Sequence, residues 1–289
     1  MRGWPASGPC RWAAISTLFL AGWLPASAQD ADPNRWHDTA EFSFVATAGN
    51  SETQTLGFKN KLWRTWERSA FELNAGGVRA ESTVTTRVAV GTPSSFDLDE
   101  DSTTDLTAEA YFLNGRYDRK ITDRFFWFAG AGWDRNRFAG IQNRYTGFGG
   151  AGHIWFDRED LKFRTDYALT YTKQEDVIEV PGFDDSFLGA RVSWSYLNKL
   201  AANTTYTNDL ILDDNLEETS DFRANMINAV AVSINKRLAL KVSLQWLYDN
   251  EPASVEVDLF DTTGTKIGTV LAELDELDTI FTTSLVVNF

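Results

Sequence analysis

The sequence predicts an all-β protein, a transmembrane antiparallel up-and-down β-barrel of about 12 strands. Three observations predict it. Polar and apolar side chains alternate with a period of two in many segments, short and long connections alternate along the chain, and the last predicted strand ends in Phe289. A membrane barrel requires such alternation because one face of each strand meets lipid and the other meets a polar interior.

The alternation is clearest in residues 161–172, 188–196 and 238–248, where a helix would scatter the apolar positions around its circumference. In the first of these segments one face carries Leu161, Phe163, Thr165, Tyr167, Leu169 and Tyr171. We expect Val192 and Leu244 to face lipid, and Arg191 and Ser243 to face the interior. The other strands are predicted at 39–49, 54–66, 69–82, 104–118, 124–137, 142–157, 200–212, 222–234 and 281–289. Segment 124–137 is apolar on both faces.

Connection lengths support the same count. Predicted tight turns lie near residues 67–68, 119–123, 157–160, 198–199 and 235–237. Predicted long loops lie at 83–103, 173–185, 213–221 and 250–275. Short turns at one end and long loops at the other are typical of outer-membrane barrels, with the short turns in the periplasm.

The N-terminal residues 1–28 have the pattern of a cleaved signal peptide. Arg2 and Arg11 supply positive charge ahead of an apolar stretch at 13–21, and Ala26-Ser27-Ala28 is a cleavage motif. We therefore expect a barrel domain at 29–289 in the outer membrane of a Gram-negative bacterium. Cleavage would remove Cys10, the only cysteine, and would leave no thiol chemistry.

Composition excludes one class of partner and favours another. The chain has 11 Trp and 20 Phe, yet its mean hydropathy is only −0.30. Removing residues 1–28 removes two arginines and no acid, so the formal net charge moves from −14 to −16. We expect no nucleic-acid partner, since nucleic acids are bound by basic surfaces. Outer-membrane lipids and lipopolysaccharide are the expected surroundings.

The last strand carries Phe281, Thr283, Leu285, Val287 and Phe289 on one face. This pattern resembles the C-terminal signal that the barrel assembly machinery recognises. Phe289 is therefore the predicted assembly signal.

Two stretches resemble the YdiY-like family of salt-induced outer membrane proteins, domain of unknown function family 481. One is the hairpin at 47–56 with its Gly49-Asn50-Ser51-Glu52-Thr53 turn, in which Gly and Asn permit a tight reversal. The other runs from Trp133 to Arg144 and continues into the glycines of 147–152, although His153 stands where an aromatic residue is expected. The resemblance implies an outer-membrane barrel and, by itself, no activity.

Motifs that suggest chemistry are weak. Gly147-x-Gly149-x-x-Gly152 matches a dinucleotide fingerprint, but no helix pattern follows it, so a glycine-rich strand is the better interpretation. Asp97-x-Asp99-x-Asp101 lacks the Gly and Glu of a calcium loop. The acidic loops indicate solvated surface or weak divalent-cation binding. We expect no catalytic residues, no metal site and no cofactor.

The predicted inward faces carry Arg164, Asp166, Arg191 and Lys241. In a narrow barrel these candidate lumen residues would either pair and plug the interior or line a small pore. Three functions remain open: a structural or envelope-stress barrel, a small diffusion channel, and an outer-membrane lipid-modifying enzyme.

Overall fold

A computed structural model describes residues 35–47, 51–92, 95–178, 185–218 and 220–289. Fourteen strands lie in this part of the chain, and twelve of them form a closed antiparallel barrel. Their bounds are β1 Trp36–Thr47, β2 Ser51–Thr65, β3 Ser69–Thr92, β4 Ser95–Lys120, β5 Phe125–Asn136, β6 Ile141–Asp157, β7 Leu161–Asp176, β8 Ser186–Ala201, β9 Thr204–Asn215, β10 Phe222–Ser233, β11 Leu238–Asp249, β12 Ser254–Phe260, β13 Lys266–Glu273 and β14 Leu277–Asn288. The predicted fold class, a 12-stranded barrel, is confirmed.

The barrel follows chain order and closes between its first and last strands. Each strand from β1 to β10 pairs with the strand that follows it, and β11 pairs with β14. The barrel closes where β14 pairs with β1, through Thr39↔Asn288 and Phe42↔Leu285. Strands β12 and β13 pair only with each other, as a separate hairpin.

The period-two pattern produces two chemically different walls. On β8, Val192 is 40% exposed on the outer face, whereas the next residue, Ser193, is 8% exposed on the inner face. On β11, Val242 is exposed and its neighbour Lys241 is buried. The registers therefore place apolar side chains outside and polar side chains inside, as the alternation predicts.

Two predicted loops are wrong. Residues 83–103 are not a loop, because β3 and β4 continue as a paired ribbon from Ser69↔Arg119 to Thr92↔Ser95. Residues 250–275 contain β12 and β13. Both segments are rich in Thr, Asp and Glu, and the apolar alternation within them, as in Ser254–Phe260, covers too few residues to have indicated a strand by itself.

The two rims differ in their connections. Tight turns join the strands at 66–68, 121–124, 158–160, 202–203 and 234–237, and the described chain starts and ends at this short-turn rim. The opposite rim carries the β3–β4 ribbon, the β12–β13 hairpin and a 3-10 turn at Arg137–Ala139. Among the described residues no helix is long and apolar enough to cross a membrane. The predicted signal peptide and the Gly49-Asn50 turn lie outside the described residues.

Candidate functional site

The structure places the four candidate lumen residues inside the barrel. Arg164 and Asp166 lie on β7, Arg191 on β8 and Lys241 on β11, with side-chain exposures of 12%, 5%, 14% and 10%. Each forms an ion pair there, so the interior contains charges that are largely shielded from water.

Arg164 and Asp166 belong to a ring of four alternating charges, which we call the tetrad: Arg116, Asp118, Arg164 and Asp166. Arg116 donates from Nε to Asp118 at 2.6 Å and from Nη1 to Asp166 at 2.7 Å. Arg164 donates from Nη1 to Asp118 at 3.2 Å, and its Nη2 lies 3.9 Å from Asp166. Because Arg116 and Asp118 lie on β4 and the other two on β7, the tetrad joins strands that are not neighbours.

A second set of pairs lies nearer the long-loop rim. Arg191 on β8 donates from Nε and Nη2 to the two carboxylate oxygens of Asp213 on β9, at 2.6 and 2.9 Å. Arg144 on β6 binds Asp134 on β5 at 2.9 and 3.2 Å. The expectation that Asp213 lies on a solvated acidic loop is therefore wrong, because it lies in β9 and faces its partner inside the barrel.

A third set occupies the wall formed by β1, β2, β3 and β11. Lys241 donates to both carboxylate oxygens of Glu41 at 3.0 Å, and Lys61 lies 2.8 Å from Glu72. Asp209, almost opposite on β9, accepts a hydrogen bond from Ser195 at 2.6 Å. Charges of both signs therefore face one another around the lumen.

Aromatic rings fill the space between the arginines. Phe112, Phe126 and Phe128 lie on inward faces, and each is only 3% exposed. The Arg116 guanidinium lies 3.9 Å from the centre of the Phe128 ring, and Arg191 lies 5.5 Å from that of Phe148. Cation–π contacts of this kind hold guanidinium groups in place. These phenylalanines are absent from the predicted lumen residues. The double apolar face of 124–137 was a signal for Phe126 and Phe128, but not for Phe112 or Phe148.

Three cavities lie along the lumen in the described part of the chain. One of about 80 Å³ opens under the long-loop rim, one of about 70 Å³ lies in the middle, and one of about 120 Å³ opens at the short-turn rim. Arg191 and Ile211 line both the first and the second, and Arg164 and Ser195 line both the second and the third. The cavities therefore lie in a row along the barrel, with Arg191 at the boundary between the first and second and Arg164 at the boundary between the second and third.

The segment at the base of the β12–β13 hairpin covers the long-loop mouth. Gly140, in the turn between β5 and β6, has a φ of 79°, and a Cβ placed on it would meet the side chain of Ala253. Ala253 belongs to the connection between β11 and β12, on the other side of the barrel. Pro252, Ala253 and Leu274 also line the outer cavity. We call residues 250–276 the lid.

The remaining candidate motifs do not converge on a site. The glycines of 147–152 lie within β6, where Gly150 and Gly152 leave room for the β7 backbone and for Phe126. His153 packs between Phe125 and Trp155 on the outer wall. Asp97 and Asp101 lie on β4, and among the described residues no three His, Cys, Asp or Glu side chains are placed to hold a metal ion.

Phe289, the predicted assembly signal, follows β14 and is 75% exposed. Its backbone N–H donates to the Asp38 carbonyl at 2.9 Å, beside the seam where the barrel closes. A terminal aromatic residue is therefore presented outward next to the last strand pair.

The fold and lumen define a class: a transmembrane-type β-barrel of 12 strands with a charged, largely filled interior. The chain belongs to the family described as protein of unknown function DUF481, whose model matches residues 40–289. None of the curated proteins matches the sequence.

Solved structures with a similar fold include three outer-membrane barrels. The NanC porin has 11% identity and a TM-score of 0.44, and the match covers 88% of this chain and 98% of the porin. The KdgM porin in complex with disordered oligogalacturonate has 7% identity and a TM-score of 0.42, over 87% and 99%. The CymD monoaromatic hydrocarbon channel has 9% identity and a TM-score of 0.40, over 95% of both chains. At these identities the similarity concerns the fold alone.

Proposed function

We propose that the protein is an integral barrel of the Gram-negative outer membrane whose lumen is closed at rest, and that its role is structural, in the envelope and its response to stress such as salt. The observation that carries this proposal is the tetrad, which spans the interior between β4 and β7. The phenylalanines beside it and the lid above it add two further obstacles to passage.

The ion pairs favour a closed lumen on energetic grounds. Charge-assisted hydrogen bonds are stronger than neutral ones. Opening the tetrad would leave charges without partners in a poorly hydrated interior, at a cost of about 3–5 kcal/mol for each broken pair. A resting pore would have to offset several such losses at once.

Planar-bilayer conductance tests the closed lumen. We expect no steady current from the wild-type protein, and we expect current from a Phe126→Ala, Phe128→Ala double variant, in which the two rings at 6.0 and 3.9 Å from Arg116 are removed. Phe44→Ala is the matched control, because Phe44 is 67% exposed on the lipid face. A steady wild-type current, or equal current in the control, would contradict the proposal.

A small diffusion channel is the second candidate, and the row of three cavities along the lumen favours it. Movement of Arg191 away from Asp213, and of Arg164 away from Asp118, would join the cavities into one path. In that case the wild-type protein would show brief openings. An Arg164→Ala, Arg191→Ala variant would lengthen them and would make the path less favourable for anions, because it removes two positive charges. The first candidate predicts no wild-type openings at any voltage that the bilayer tolerates.

We also propose that the protein has no catalytic role. Ser193 and Ser195 face inward on β8, and Ser195 donates to Asp209 and not to a histidine. A serine nucleophile would need a base within hydrogen-bond reach. Hydrolysis or transfer of acyl chains in mixed lipid vesicles by the purified barrel, lost in Ser195→Ala, would support the enzyme instead.

Location and assembly form a separate part of the proposal. We propose cleavage after Ala28, residence among lipopolysaccharide and phospholipid, and insertion by the assembly machinery through β14 and Phe289. Mass spectrometry of the outer-membrane fraction should find a mature chain that begins at Gln29. Deletion of Phe289 should lower the amount of heat-modifiable barrel far more than the rate of synthesis, and an unchanged amount would refute the assembly signal.

A further inference from the structure

Arg64 occupies an unusual position on the outer wall. It is the residue before the last in β2, at the short-turn rim. In the sheet registers it lies opposite Trp36 on β1 and opposite Phe71 on β3, and Trp66 follows two residues later. An arginine is therefore surrounded by three large aromatic side chains.

The rings hold the guanidinium from more than one side. The Arg64 guanidinium carbon lies 5.0 Å from the Trp66 ring centre and 5.8 Å from that of Trp36. Trp36 meets Trp66 edge to face at 6.4 Å and meets Phe71 at 6.1 Å. Such contacts orient a guanidinium without using its N–H donors. We call Trp36, Arg64, Trp66 and Phe71 the aromatic box.

Arg64 has no acidic partner in the described part of the chain. Its Nε is buried without a hydrogen bond, and among the described residues no carboxylate lies within ion-pair distance of its guanidinium. Arg79, which also faces outward on the neighbouring strand, shows the contrast because it pairs with Glu81 at 2.7 Å. The aromatic box therefore presents a positive charge, and the Nη groups of Arg64, which are not buried as Nε is, can donate to an external group.

Basic residues lie at the strand ends beside the box. The adjoining turn carries Arg68, and the end of β4 carries Arg119 and Lys120. Arg68 and Lys120 line the cavity at the short-turn rim, so Arg119 is the one of these three on the outer face. The Lys120 N–H donates to the Arg68 carbonyl at 2.8 Å, so these strand ends lie together. Glu67 is the only acid of the 66–68 turn. The local charge complements an anion.

We propose that the aromatic box binds the phosphate of an anionic phospholipid headgroup in the leaflet at the short-turn rim. Tryptophan concentrates at the boundary between lipid and water, where headgroups lie. Arginine binds phosphate through two parallel N–H bonds, and basic clusters beside a membrane attract anionic lipids. Arg64 lies on the outer wall, and Trp66 also borders the cavity at the short-turn rim.

Native mass spectrometry of the full barrel in detergent micelles tests the site. The micelles are supplied with phosphatidylglycerol or with phosphatidylcholine that has the same acyl chains. We expect the wild-type protein to retain one phosphatidylglycerol and to bind phosphatidylcholine weakly. Arg64→Ala should weaken phosphatidylglycerol binding about tenfold, as expected for loss of a charge-assisted hydrogen bond. The effect should shrink as salt is added, because an exposed charge is screened.

Three further variants separate the causes. Arg79→Ala is the matched control and should bind like the wild type. Arg64→Lys keeps the charge but loses the planar fork, and Trp66→Leu keeps Arg64 but removes one wall, so each should show an intermediate loss. These two variants also provide the test if Arg64→Ala fails to give a heat-modifiable barrel.

Three results would overturn the proposal. One is equal lipid binding in the wild type and in every Arg64 and Trp66 variant that folds. A second is equal retention of phosphatidylcholine, which also carries a phosphate but has no net charge, so the box would not select an anionic headgroup. A third is displacement of phosphatidylglycerol by inorganic phosphate at equal concentration, which would make the box a site for the free anion.

Discussion

Arg116 on β4 and Asp166 on β7 lie 2.7 Å apart, from Nη1 to Oδ2, although β5 and β6 separate their strands in the barrel. A pair between non-neighbouring strands restrains the cross-section of the lumen, which backbone pairing between adjacent strands does not do. Asp118 and Arg164 duplicate this link at 3.2 Å. The tetrad therefore stabilises the shape of the barrel as well as filling it.

The first prediction concerns that link. Asp166→Asn should lower the free energy of unfolding by about 3 kcal/mol, because two buried guanidinium groups lose a charged partner. Arg158→Ala is the control, since the Arg158–Asp160 pair is 60% and 64% exposed and should change stability by less than about 1 kcal/mol. Urea unfolding in liposomes, followed by tryptophan fluorescence, measures both. Equal effects would show that the tetrad does not bear on stability.

The second prediction concerns the lid. Gly140 and Gly264 both have positive φ, at 79° and 85°, but only a Cβ at Gly140 would meet another residue, Ala253. Alanine at either position should strain the backbone, by about 1 kcal/mol. Only Gly140→Ala should also displace the lid. Hydrogen exchange at the Val177 N–H, which donates to the Gly140 carbonyl at 2.7 Å, should accelerate in Gly140→Ala and not in Gly264→Ala.

An identical exchange profile in both alanine variants would mean that Ala253 does not rest on the β5–β6 turn. Exchange at the Leu274 N–H, which donates to the Ala253 carbonyl at 3.1 Å, serves as a second reporter on the same lid.

The third prediction concerns the two walls. Val192→Arg and Leu244→Arg put a charge on the lipid face and should each cost about 2–4 kcal/mol if they lie near the middle of the bilayer. Ser243→Arg faces the interior and should be milder where the lumen has room for it. Folding yields in liposomes of one lipid thickness rank the three variants. If Ser243→Arg gave the lowest yield, the assignment of faces would have to be exchanged or the lumen would be too full to accept the side chain.

A Ser243→Leu variant separates those two explanations, because it adds volume to the same face without charge. A low yield for both Ser243 variants would indicate steric exclusion from a filled lumen.

The fourth prediction concerns pH and the β12–β13 turn. The Asp261 carboxylate accepts hydrogen bonds from the Thr263 hydroxyl at 2.6 Å and from the N–H groups of Thr263 and Thr265 at 2.8 and 2.9 Å. These bonds, the Thr263 hydroxyl first, hold the pKa of Asp261 below its ordinary value. A lowered pKa means that the turn is stabilised above the ordinary aspartate range and loses that contribution as the pH falls through the pKa of the folded state.

Carboxyl NMR titration of Asp261 measures this pKa directly. Thr263→Val should move it back towards the ordinary value, and Asp261→Asn should abolish the pH dependence of amide protection in the turn. A titration unchanged in Thr263→Val would show that the hydroxyl contact is not formed.

The sequence predicts the membrane-spanning part of this fold well for a physical reason. Lipid demands an apolar outer face at every second residue, so the alternation alone assigns the faces of Val192 and Lys241 correctly. No such demand acts on residues 83–103 or 250–275, where backbone pairing with an adjacent segment suffices to form strands. Residues 254–259 alternate strictly, but such a short alternating stretch among polar residues does not distinguish a solvated strand from a loop.

The lumen could be predicted only as a set of separate charges. Arg164, Asp166, Arg191 and Lys241 are identifiable by parity, but the partner of Arg116 lies 50 residues away and is brought close only by closure of the barrel. The inward phenylalanines are equally hidden, since a period of two does not distinguish a ring that packs in a narrow interior from one that meets lipid.

The β3–β4 ribbon outreaches its neighbours, because β2 ends opposite Val84 and β5 ends opposite Ala110. Its last eight residue pairs rise roughly 27 Å above the β2 edge, at about 3.4 Å per residue. From residue 95 to the part of β4 that the 3-10 turn at Arg137–Ala139 contacts, one side of β4 is therefore an unpaired strand edge, the kind of surface on which other chains aggregate. Exposed carboxylates at Asp97, Asp101 and Asp105 repel an approaching copy of the same ribbon. Neutralising those three acids should therefore allow ribbons of two molecules to pair edge to edge and the protein to self-associate.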